Sequence, residues 1–349
     1  MTVRPFGVLP GGRRVDLYSI ATDRVELHAM TYGGIITSLK VRDRQGEPDD
    51  VVLGHRSVEP YLRNASYIGA IIGRYANRIA NGRFVLDGRE YQIATNDAPN
   101  HLHGGRKGFD QQHWAAAPLV TPEGPAVRFS RTSAAGEEEY PGTLNCSVTY
   151  VLIAPGSVEL RYEARTDAPT IVNLTQHTYF NLGGERSTNV LDHELTIHAS
   201  YYTPVDRTLI PTGEVAGVDD TPFDFRRPAV LRRALGTAHP QLGIAGGFDH
   251  NFIVDRSSPG LVHAATLHDP RSGRTLRVST TEPGLQFYDG HLLDSAATDL
   301  GGRVFRRYEG LCLETQHYPD SPHHPHFPTV ELRPGERYGS TTRWEFPIE

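Results

Sequence analysis

The chain has 349 residues, with 35 Lys or Arg and 41 Asp or Glu, so its formal net charge is −6 at pH 7. The charges are spread over both halves without a basic stripe, which excludes the electrostatic pattern of a nucleic-acid-binding protein. The first residues lack a charged-then-apolar leader pattern, and no apolar run reaches membrane-spanning length. We therefore expect a cytoplasmic protein that binds neither nucleic acid nor membrane.

A chain of this length lies near the upper limit for one hydrophobic core. Its 35 Gly and 25 Pro are dispersed, and no repeat or Ser/Gly-rich linker marks a boundary. We interpret residues 1–349 as one domain. Cys146 and Cys312 are too few for a disulfide framework, so we expect two free thiols.

Strand patterns recur along the chain and are separated by short turns. The predicted strands, in order, are Val25–Met30, Ile35–Val41, Phe84–Leu86, Arg89–Ile93, Val127–Ser130, Leu144–Ile153, Val158–Glu163, Leu195–His198, Ala264–His268, Thr275–Thr280, Val330–Leu332 and Arg343–Phe346. Asp87-Gly88 predicts a two-residue hairpin turn. Helical patterns are confined to Glu59–Arg63 and Ala229–Leu235. Many short strands with almost no helix predict an all-β antiparallel sandwich or barrel.

The segment Asn173–Leu182 (NLTQHTYFNL) alternates strictly between polar and apolar residues, as a strand with one buried face does. Its polar face carries His177 and no residue that is charged at pH 7. A water-facing strand is the ordinary interpretation of such a face. The uncharged, hydrogen-bonding composition favours instead a cleft wall that holds a neutral, hydroxyl-rich ligand.

A second alternating segment, Gly310–Gln316 (GLCLETQ), places Glu314 opposite two leucines. A carboxylate in an apolar strand is costly unless it is paired or used, so a buried ion pair and a catalytic carboxylate both remain open. Thr281–Tyr288 repeats the pattern with Gln286 on its polar face. A histidine and a carboxylate on separate strands can supply the acid and the base of general acid–base catalysis.

Three segments that we interpret as loops add polar side chains whose ordinary roles are surface charge, turn or cap. They are Gly73–Phe84 with Asn77 and Arg78, Asn100–Gly105 with His103, and Gly247–Phe252 with Asp249. The glycine pair after His103 permits close approach of two backbones.

Four histidines lie between His317 and His326, interrupted by prolines. HExxH and paired-Cys spacings are absent from the sequence, so exposed histidines are favoured over a zinc site. We expect no metal and no cofactor.

Taken together, these segments resemble the aldose 1-epimerase (galactose mutarotase) family over most of the chain. The strings that carry the resemblance occur in the family's order: YGGIITSLKVRDRQGEPDDVVLGH, GRYANRIANGRF, LHGG, NLTQHTYFNLGG, YYTPVDRTLIPTGE, TPFDFR, DHNF, PGLQFYDG and LCLETQHYPDSPHHPHFP. The resemblance implies a large antiparallel β-sandwich of the galactose mutarotase type, with very few short helices and an open sugar cleft on one sheet.

The resemblance also implies roles for individual residues. His177 matches the family's general acid, Glu314 its general base, and His103 a second active-site histidine beside the ring oxygen of the sugar. The matches to sugar-binding residues are Asn77, Arg78, Asp249 and Gln286. Glu282 and His291 depart from residues that are frequent in the family, and we expect these two to affect substrate preference and the cleft rim.

The implied reaction interconverts the α and β anomers of a free aldose such as glucose or galactose. Glu314 would remove a proton from the C1 hydroxyl while His177 delivers one to the ring oxygen. Since an ordinary imidazole is only partly protonated at neutral pH, His177 needs a raised pKa or a nearby carboxylate.

Three other activities remain open. An epimerase of hexose 6-phosphates would need a basic phosphate pocket. A non-catalytic sugar-binding or sugar-sensing module would have no use for a matched acid and base. A glycosidase needs two catalytic carboxylates, and Asp249 is the one evident partner for Glu314. We expect a small-molecule aldose as partner and a monomer or homodimer.

Overall fold

Strands form most of the regular structure in this computed structural model, which describes residues 1–63, 66–293 and 303–347. The first fourteen are β1 (Thr2–Val8), β2 (Arg14–Ala21), β3 (Val25–Met30), β4 (Ile36–Arg42), β5 (Pro48–Asp50), β6 (Ile71–Ile72), β7 (Arg78–Ile79), β8 (Arg83–Leu86), β9 (Arg89–Gln92), β10 (His101–Leu102), β11 (Ala115–Thr121), β12 (Gly124–Ser133), β13 (Leu144–Ile153) and β14 (Ser157–Thr166). The following strands are β15 (Thr170–Ile171), β16 (Thr175–Gln176), β17 (Tyr179–Phe180), β18 (Glu194–Ile197), β19 (Tyr201–Thr203), β20 (Ala216–Gly217), β21 (Ala229–Val230), β22 (Asp249–Ile253), β23 (Val262–His268), β24 (Thr275–Thr280), β25 (Gly284–Tyr288), β26 (Leu311–Gln316), β27 (Glu331–Leu332) and β28 (Tyr338–Glu345).

Helices are short and few in the described ranges. The α-helices there are α1 (Leu231–Leu235) and α2 (Pro240–Ala245). The 3-10 helices are Glu59–Arg63, Ala80–Gly82, Phe109–Gln111, Glu137–Glu139 and Ser321–His323. Of the two predicted helical segments, the first is therefore a 3-10 helix, and the second is divided between β21 and α1.

None of the helices in the described residues has the length and apolarity needed to cross a membrane.

Three large antiparallel sheets organise the chain. The sheet that carries the candidate site has the order β17-β26-β25-β22-β19-β20, and we call it the cleft sheet. The back sheet has the order β11-β12-β13-β14-β28-β24-β23-β18-β21. A third sheet, in the order β1-β2-β3-β4-β5, is formed by the amino-terminal strands. The all-β antiparallel prediction is confirmed.

A large hydrophobic core lies between the cleft sheet and the back sheet. Leu313 and Phe287 contribute to it from the cleft sheet, and Leu160 and Trp344 from the back sheet. The rings of Phe180 and Trp344 meet edge to face with centroids 5.0 Å apart. Because strand side chains alternate between faces, a leucine that faces this core places its neighbours on the opposite side. That opposite side of the cleft sheet carries the candidate site.

The predicted hairpin is confirmed at β8 and β9. Its two turn residues, Asp87 and Gly88, have φ angles of 50° and 75°. A type I′ turn requires positive φ at both central positions, and the Asp-Gly pair meets that requirement.

The prediction of one continuous strand over Asn173–Leu182 is wrong. Here β16 pairs with β6, whereas β17 pairs with β26 in the cleft sheet. His177 lies in the break between them. The chain changes partner strand at this point, so one alternating pattern serves two different sheets.

Most of the polar side chains around that break stabilise the fold and do not form a ligand wall. Asn173 Nδ2 donates to the carbonyl of residue 317 at 3.2 Å, and Thr175 Oγ1 donates to the carbonyl of residue 315 at 2.9 Å. Asn181 Nδ2 donates to the carbonyl of residue 309 at 2.7 Å. These bonds satisfy buried backbone groups where the sheet is irregular.

All three segments predicted as loops contain short strands that position site residues. Arg78 in β7 lies opposite Leu102 in β10, which brings His103 to the same edge. Asp249 is the first residue of β22 and pairs with Tyr288 in β25. The loop interpretation is wrong at these positions. The strands β7 and β10 have two residues each, too few to show a period, and the five-residue β22 (DHNFI) does not alternate between polar and apolar residues.

Candidate active site

A cavity of about 220 Å³ opens on the cleft sheet and gathers six of the seven predicted site residues. Its lining consists of Ser66, Tyr67, Asn77, Arg78, Leu102, His103, His177, Tyr179, Asp249, Tyr288, Leu292 and Glu314. Gln286 is not among the lining residues. The volume lies below the ~300–1,000 Å³ that is usual for drug-sized ligands, so the cavity suits a smaller molecule.

His177 and Glu314 face each other inside this cavity. Nε2 of His177 lies 3.8 Å from Oε1 of Glu314, and the exposed fractions of the two side chains are 6% and 2%. The backbone of His177 is held on both sides, since its N–H donates to Ala70 and its carbonyl accepts from Gly69, each at 2.9 Å. A buried imidazole and a buried carboxyl group thus stand in a fixed relation to each other.

His103 is fixed by reciprocal contacts with Asn77. The N–H of Asn77 donates to Nδ1 of His103 at 3.1 Å, and the N–H of His103 donates to the carbonyl of Asn77 at 3.1 Å. A neutral imidazole that accepts at Nδ1 carries its proton on Nε2. His103 therefore presents an N–H donor to the cavity. Both residues have left-handed backbones, with φ of 62° for Asn77 and 50° for His103, a strained state that recurs at functional sites.

His103, His177 and Glu314 are also a candidate metal-ligand group among the described residues, since one ligand atom from each lies within 4.8 Å of the others. A histidine ligand must offer an unprotonated nitrogen. The contact with Asn77 keeps the cavity-facing nitrogen of His103 protonated. The arrangement suits proton transfer to and from a ligand better than metal coordination.

Burial shifts the pKa of both members of the acid–base pair towards their neutral forms. The pKa of Glu314 is raised well above its usual value, first by burial and then by the negative charge of Asp249, while Arg78 lowers it. Burial lowers the pKa of His177 to about 4. Of the two conditions named for His177, a raised pKa or a nearby carboxylate, the second is met by the carboxyl group of Glu314.

Arg78 and Asp249 are linked in a polar network at the cavity wall. Nε of Arg78 donates to Asp97 at 2.8 Å, and its NH1 lies 3.7 Å from Asp249. Gln286 Nε2 donates to the other oxygen of Asp249 at 2.7 Å. Gln286 thus orients Asp249, and the direct sugar contact that its match to the family implies stays a prediction.

Sequence reasoning missed part of the cavity wall. Tyr67 was not predicted, yet its ring centroid lies 4.6 Å from that of His103 and 5.9 Å from that of His177. Tyr179 and Tyr288 also line the cavity. Their places on alternating strand faces offered a signal, whereas Tyr67 lies in a connection without a period and offered none.

A buried thiol lies behind the imidazole of His177. Sγ of Cys312 is 3.5 Å from Nδ1 of His177, and burial raises the pKa of this thiol well above its usual value. Cys312 therefore remains a neutral S–H group at physiological pH. Cys146 and Cys312 are both free, as predicted, and both are buried.

The two departures from the family pattern each form an ion pair with another side chain. Glu282 forms a 2.6 Å ion pair with His317, and His291 forms one of 2.7 Å with Asp289. Neither Glu282 nor His291 lines the cavity. His291 packs against the lining residue Tyr288, with ring centroids 5.2 Å apart. The expectation that Glu282 and His291 affect substrate preference and the cleft rim stays a prediction.

The histidines near the carboxyl end have separate contacts. His323 Nδ1 lies 2.6 Å from Asp320, while His324 and His326 are hydrogen-bonded to the carbonyls of Pro211 and Gly213. Their ring nitrogens are thereby engaged with the protein itself.

A β-sandwich with an imidazole and a carboxyl group facing each other in a small polar cavity defines a protein that performs acid–base chemistry on a small polar ligand. Comparison with known proteins identifies the family to which the chain belongs. The family model described as aldose 1-epimerase matches residues 16–345. The chain belongs to this family of isomerases, and the resemblance noted in the sequence is confirmed.

Curated relatives and solved structures agree with the assignment. Galactose mutarotase from Homo sapiens is 48% identical over 344 residues, which cover 98% of this chain and 97% of that protein. Aldose 1-epimerase from Escherichia coli (strain K12) is 37% identical over 322 residues, which cover 92% and 91%. The crystal structure of galactose 1-epimerase from Lactobacillus acidophilus NCFM has a TM-score of 0.85 at 27% identity and covers 99% of this chain and 98% of that one.

Proposed function

We propose that this protein interconverts the α and β anomers of free aldohexoses such as glucose and galactose, with His177 and Glu314 as the acid–base pair. The observation that carries the proposal is the 3.8 Å separation of Nε2 and Oε1 inside a cavity of about 220 Å³. One hemiacetal carbon bears both the ring oxygen and the C1 hydroxyl. Two groups this close together can therefore serve both oxygens of one sugar at the same time.

In the proposed reaction, Glu314 takes the proton of the C1 hydroxyl as His177 gives one to the ring oxygen. The C1–ring oxygen bond breaks, and the sugar becomes an open-chain aldehyde. Rotation about C1–C2 followed by closure on the other face, with both proton transfers reversed, gives the opposite anomer. His103, with its fixed Nε2–H, donates a hydrogen bond to the ring oxygen region and supports the charge that changes there.

The proposed pair works with one shared proton. The neutral pair and the pair of carboxylate and imidazolium contain the same number of protons and differ in which group holds one. Burial favours the neutral pair. Sugar hydroxyl groups that donate to the Glu314 carboxylate favour its charged form, so substrate binding prepares the pair for the reaction.

We assign substrate binding to Asn77, Arg78 and Asp249, with Gln286 in a supporting role. A carboxylate and a guanidinium group at the wall offer an acceptor and several donors to ring hydroxyls. The tyrosine side chains beside them provide flat apolar surface of the kind that sugar rings cover.

A hexose 6-phosphate is a less suitable substrate. Arg78 is the cationic side chain among the described lining residues, and it already interacts with Asp97 and Asp249. The positive charge of Arg78 is therefore already compensated by these two carboxylates and would attract a phosphate dianion only weakly. We also propose a cytoplasmic location, which the two free cysteines support, and a monomer or homodimer.

The test is polarimetry of freshly dissolved α-glucose and α-galactose with purified Glu314→Gln. We expect turnover to fall at least about a hundredfold, the usual contribution of a general base, while sugar binding measured by calorimetry is retained. Glu282→Gln is the matched control, since Glu282 is also a buried carboxyl group but lies outside the cavity. Near wild-type mutarotation by Glu314→Gln would remove Glu314 from the mechanism.

A further inference from the structure

A second cavity, of about 470 Å³, lies on another part of the surface, and we call it the arginine cleft. It is formed by the turn after β4, the turn between β23 and β24, and the end of β28. Its lining includes Arg24, Arg42, Arg44 and Arg274, the carboxylate Asp43 and an apolar side that contains Phe346. It shares no lining residue with the candidate active site.

The lining of the arginine cleft is unbalanced in charge. Four arginines stand against one carboxylate, and that carboxylate, Asp43, accepts two hydrogen bonds from backbone N–H groups of its own turn, at 2.8 and 3.0 Å. Arg42 and Arg44 each donate to a backbone carbonyl at 2.7 Å. Within the described part of the chain, none of the four guanidinium groups forms an ion pair with a carboxylate.

Arg274 is the most unusual of the four because it is 5% exposed. Its guanidinium group donates to the carbonyls of Val41, Leu182 and Glu47 at 3.0 to 3.1 Å. These contacts fix its orientation, and none of the described carboxylates lies within ion-pairing distance of it. Burial lowers its pKa, whereas the more distant negative charges of Asp43, Asp49 and Asp269 raise it. A buried charge is costly unless it is paired, so an anion at this position would be stabilising.

The remaining wall of the arginine cleft is apolar. Val25, Val41 and Phe346 are buried core residues that also border the cavity, and two prolines complete this side. The volume falls within the ~300–1,000 Å³ range of small-molecule sites. The cleft therefore combines an apolar surface with guanidinium groups, which recognise the planar and tetrahedral oxygens of carboxylates, sulfonates and phosphates.

We propose that the arginine cleft is a binding site for a small organic anion with an apolar body, separate from the aldose site. The anionic group lies among Arg24, Arg44 and Arg274, and the apolar body covers Val41 and Phe346. The ligand is a carboxylate, a sulfonate or a phosphate ester. A negative charge on the ligand does not suffice for binding without the apolar body.

The test uses 1-anilinonaphthalene-8-sulfonate, which joins an anion to an aromatic body and fluoresces in apolar surroundings. We expect saturable binding at one site per chain. The double variant Arg24→Glu/Arg44→Glu should weaken binding at least tenfold, because two attractive charges become repulsive. The control Arg13→Glu/Arg89→Glu alters the net charge equally at two exposed positions outside the cleft, and it should bind like the wild type.

Three further measurements separate the alternatives. The neutral analogue N-phenyl-1-naphthylamine should bind both double variants equally, which shows that the apolar wall is intact. Adenosine monophosphate should displace the fluorescent anion at lower concentration than inorganic phosphate does. Saturating galactose should leave the binding unchanged, and both double variants should keep their mutarotase activity.

Several outcomes would overturn the proposal. These are the absence of saturable binding, an equal loss of affinity in the control variant, and displacement of the fluorescent anion by galactose. None of them bears on the acid–base pair, so the proposed function stands or falls separately.

Discussion

At the scale of single residues, the charge of Asp249 sets the conditions under which the buried pair can work. Asp249 raises the pKa of Glu314 through space and Arg78 opposes it. The pair of His177 and Glu314 can catalyse the reaction when the two side chains together hold one proton. It is inactive when they hold two protons at low pH or none at high pH. Because protonation of one side chain affects protonation of the other, the pH limits of activity belong to the pair and not to one residue.

We predict that Asp249→Asn shifts both limbs of the bell-shaped pH profile of kcat/KM towards lower pH, by about one unit. The reason is that a neighbouring negative charge stabilises every protonated form of the pair, so its removal makes each proton easier to lose. Polarimetric rates from pH 4 to pH 10 provide the measurement. An unmoved profile in this variant, with binding weakened alone, would mean that Asp249 contacts sugar without influencing the pair.

Substitution of Asp249 by Ala tests its second role. We expect the KM for galactose to rise at least about tenfold with a smaller change in kcat, because a charge-assisted hydrogen bond to a ring hydroxyl is lost. Gln286→Leu should give a weaker form of the same effect, since its amide orients Asp249. An unchanged KM in the alanine variant would contradict the assignment of Asp249 to sugar binding.

The sequence indicated His177 and Glu314 because each lies on the polar face of an alternating segment, and a carboxylate such as Glu314 is costly to bury unless it is paired or used. The roles of Asn77, Arg78 and His103 came from the family resemblance, since isolated polar residues in irregular segments carry no pattern of their own. Tyr67 and Asp97 were missed for that reason. Their place in the site depends on contacts between distant parts of the chain, and one sequence does not record such contacts.

At the scale of elements, the paired strands β7 and β10 hold Asn77, Arg78 and His103 at one edge, and Gly104 makes that edge possible. Gly104 has a φ of 85°, and a Cβ there would lie 1.9 Å from the carbonyl oxygen of Gly73. The sequence-based expectation of close backbone approach at this glycine pair is confirmed.

We predict that Gly104→Ala lowers the free energy of unfolding by ~2 kcal/mol or more beyond the cost of the left-handed backbone, and that it abolishes activity by displacing His103. Gly88→Ala is the matched control, since Gly88 has a φ of 75° and nothing within 4 Å of its added Cβ. Urea denaturation of both variants gives the difference. Equal losses of stability would show that backbone strain alone accounts for the effect.

Elements were predictable where a local rule determined them. The Asp-Gly turn between β8 and β9 and the long strands β13 and β14 followed from turn chemistry and alternation. The break at His177 did not, because an alternating pattern specifies which face is buried and not which neighbouring strand accepts the hydrogen bonds. Two-residue strands such as β7 and β10 show no period at all.

At the scale of the whole molecule, several buried histidines make stability depend on pH. Burial lowers the pKa to about 4 for His55, His101, His177 and His193, and to about 3 for His250. As the pH falls below the usual value near 6.5, the unfolded chain binds protons that the folded protein does not bind. The free energy of unfolding therefore falls from about pH 6.5 to pH 4. Glu314 and Asp110 act in the opposite sense because their pKa values are raised.

We predict that His55→Phe removes one contribution to the pH dependence of the free energy of unfolding. The loss of stability between pH 7 and pH 5 should be about 2 kcal/mol smaller than in the wild type, as expected when one group titrates at about 4 in the fold and 6.5 in the unfolded chain. The ring of His55 already packs against Tyr61 and Phe305, so phenylalanine is compatible with the site. His326→Phe, at an exposed position, is the control and should keep the wild-type slope.

The all-β antiparallel class was predictable because it follows from strand length, spacing and the scarcity of helices. The order of strands in the cleft and back sheets was not, since β28 at the end of the chain pairs with β14 near its middle. Such long-range pairings depend on the balance of many contacts across the core and not on a local signal. The prediction that residues 1–349 form one domain stays a prediction.

The break at His177, between β16 paired with β6 and β17 paired with β26, has a consequence for attempts to redesign the enzyme. The imidazole between them is aimed by main-chain contacts to Gly69 and Ala70 and by two unrelated strand registers. Lengthening or shortening the chain by one residue near positions 69–72 would turn this ring away from the sugar even if the remainder of the molecule folded normally. Libraries of variants for new sugar specificities should therefore leave positions 69–72 unchanged and vary the lining tyrosines Tyr67, Tyr179 and Tyr288.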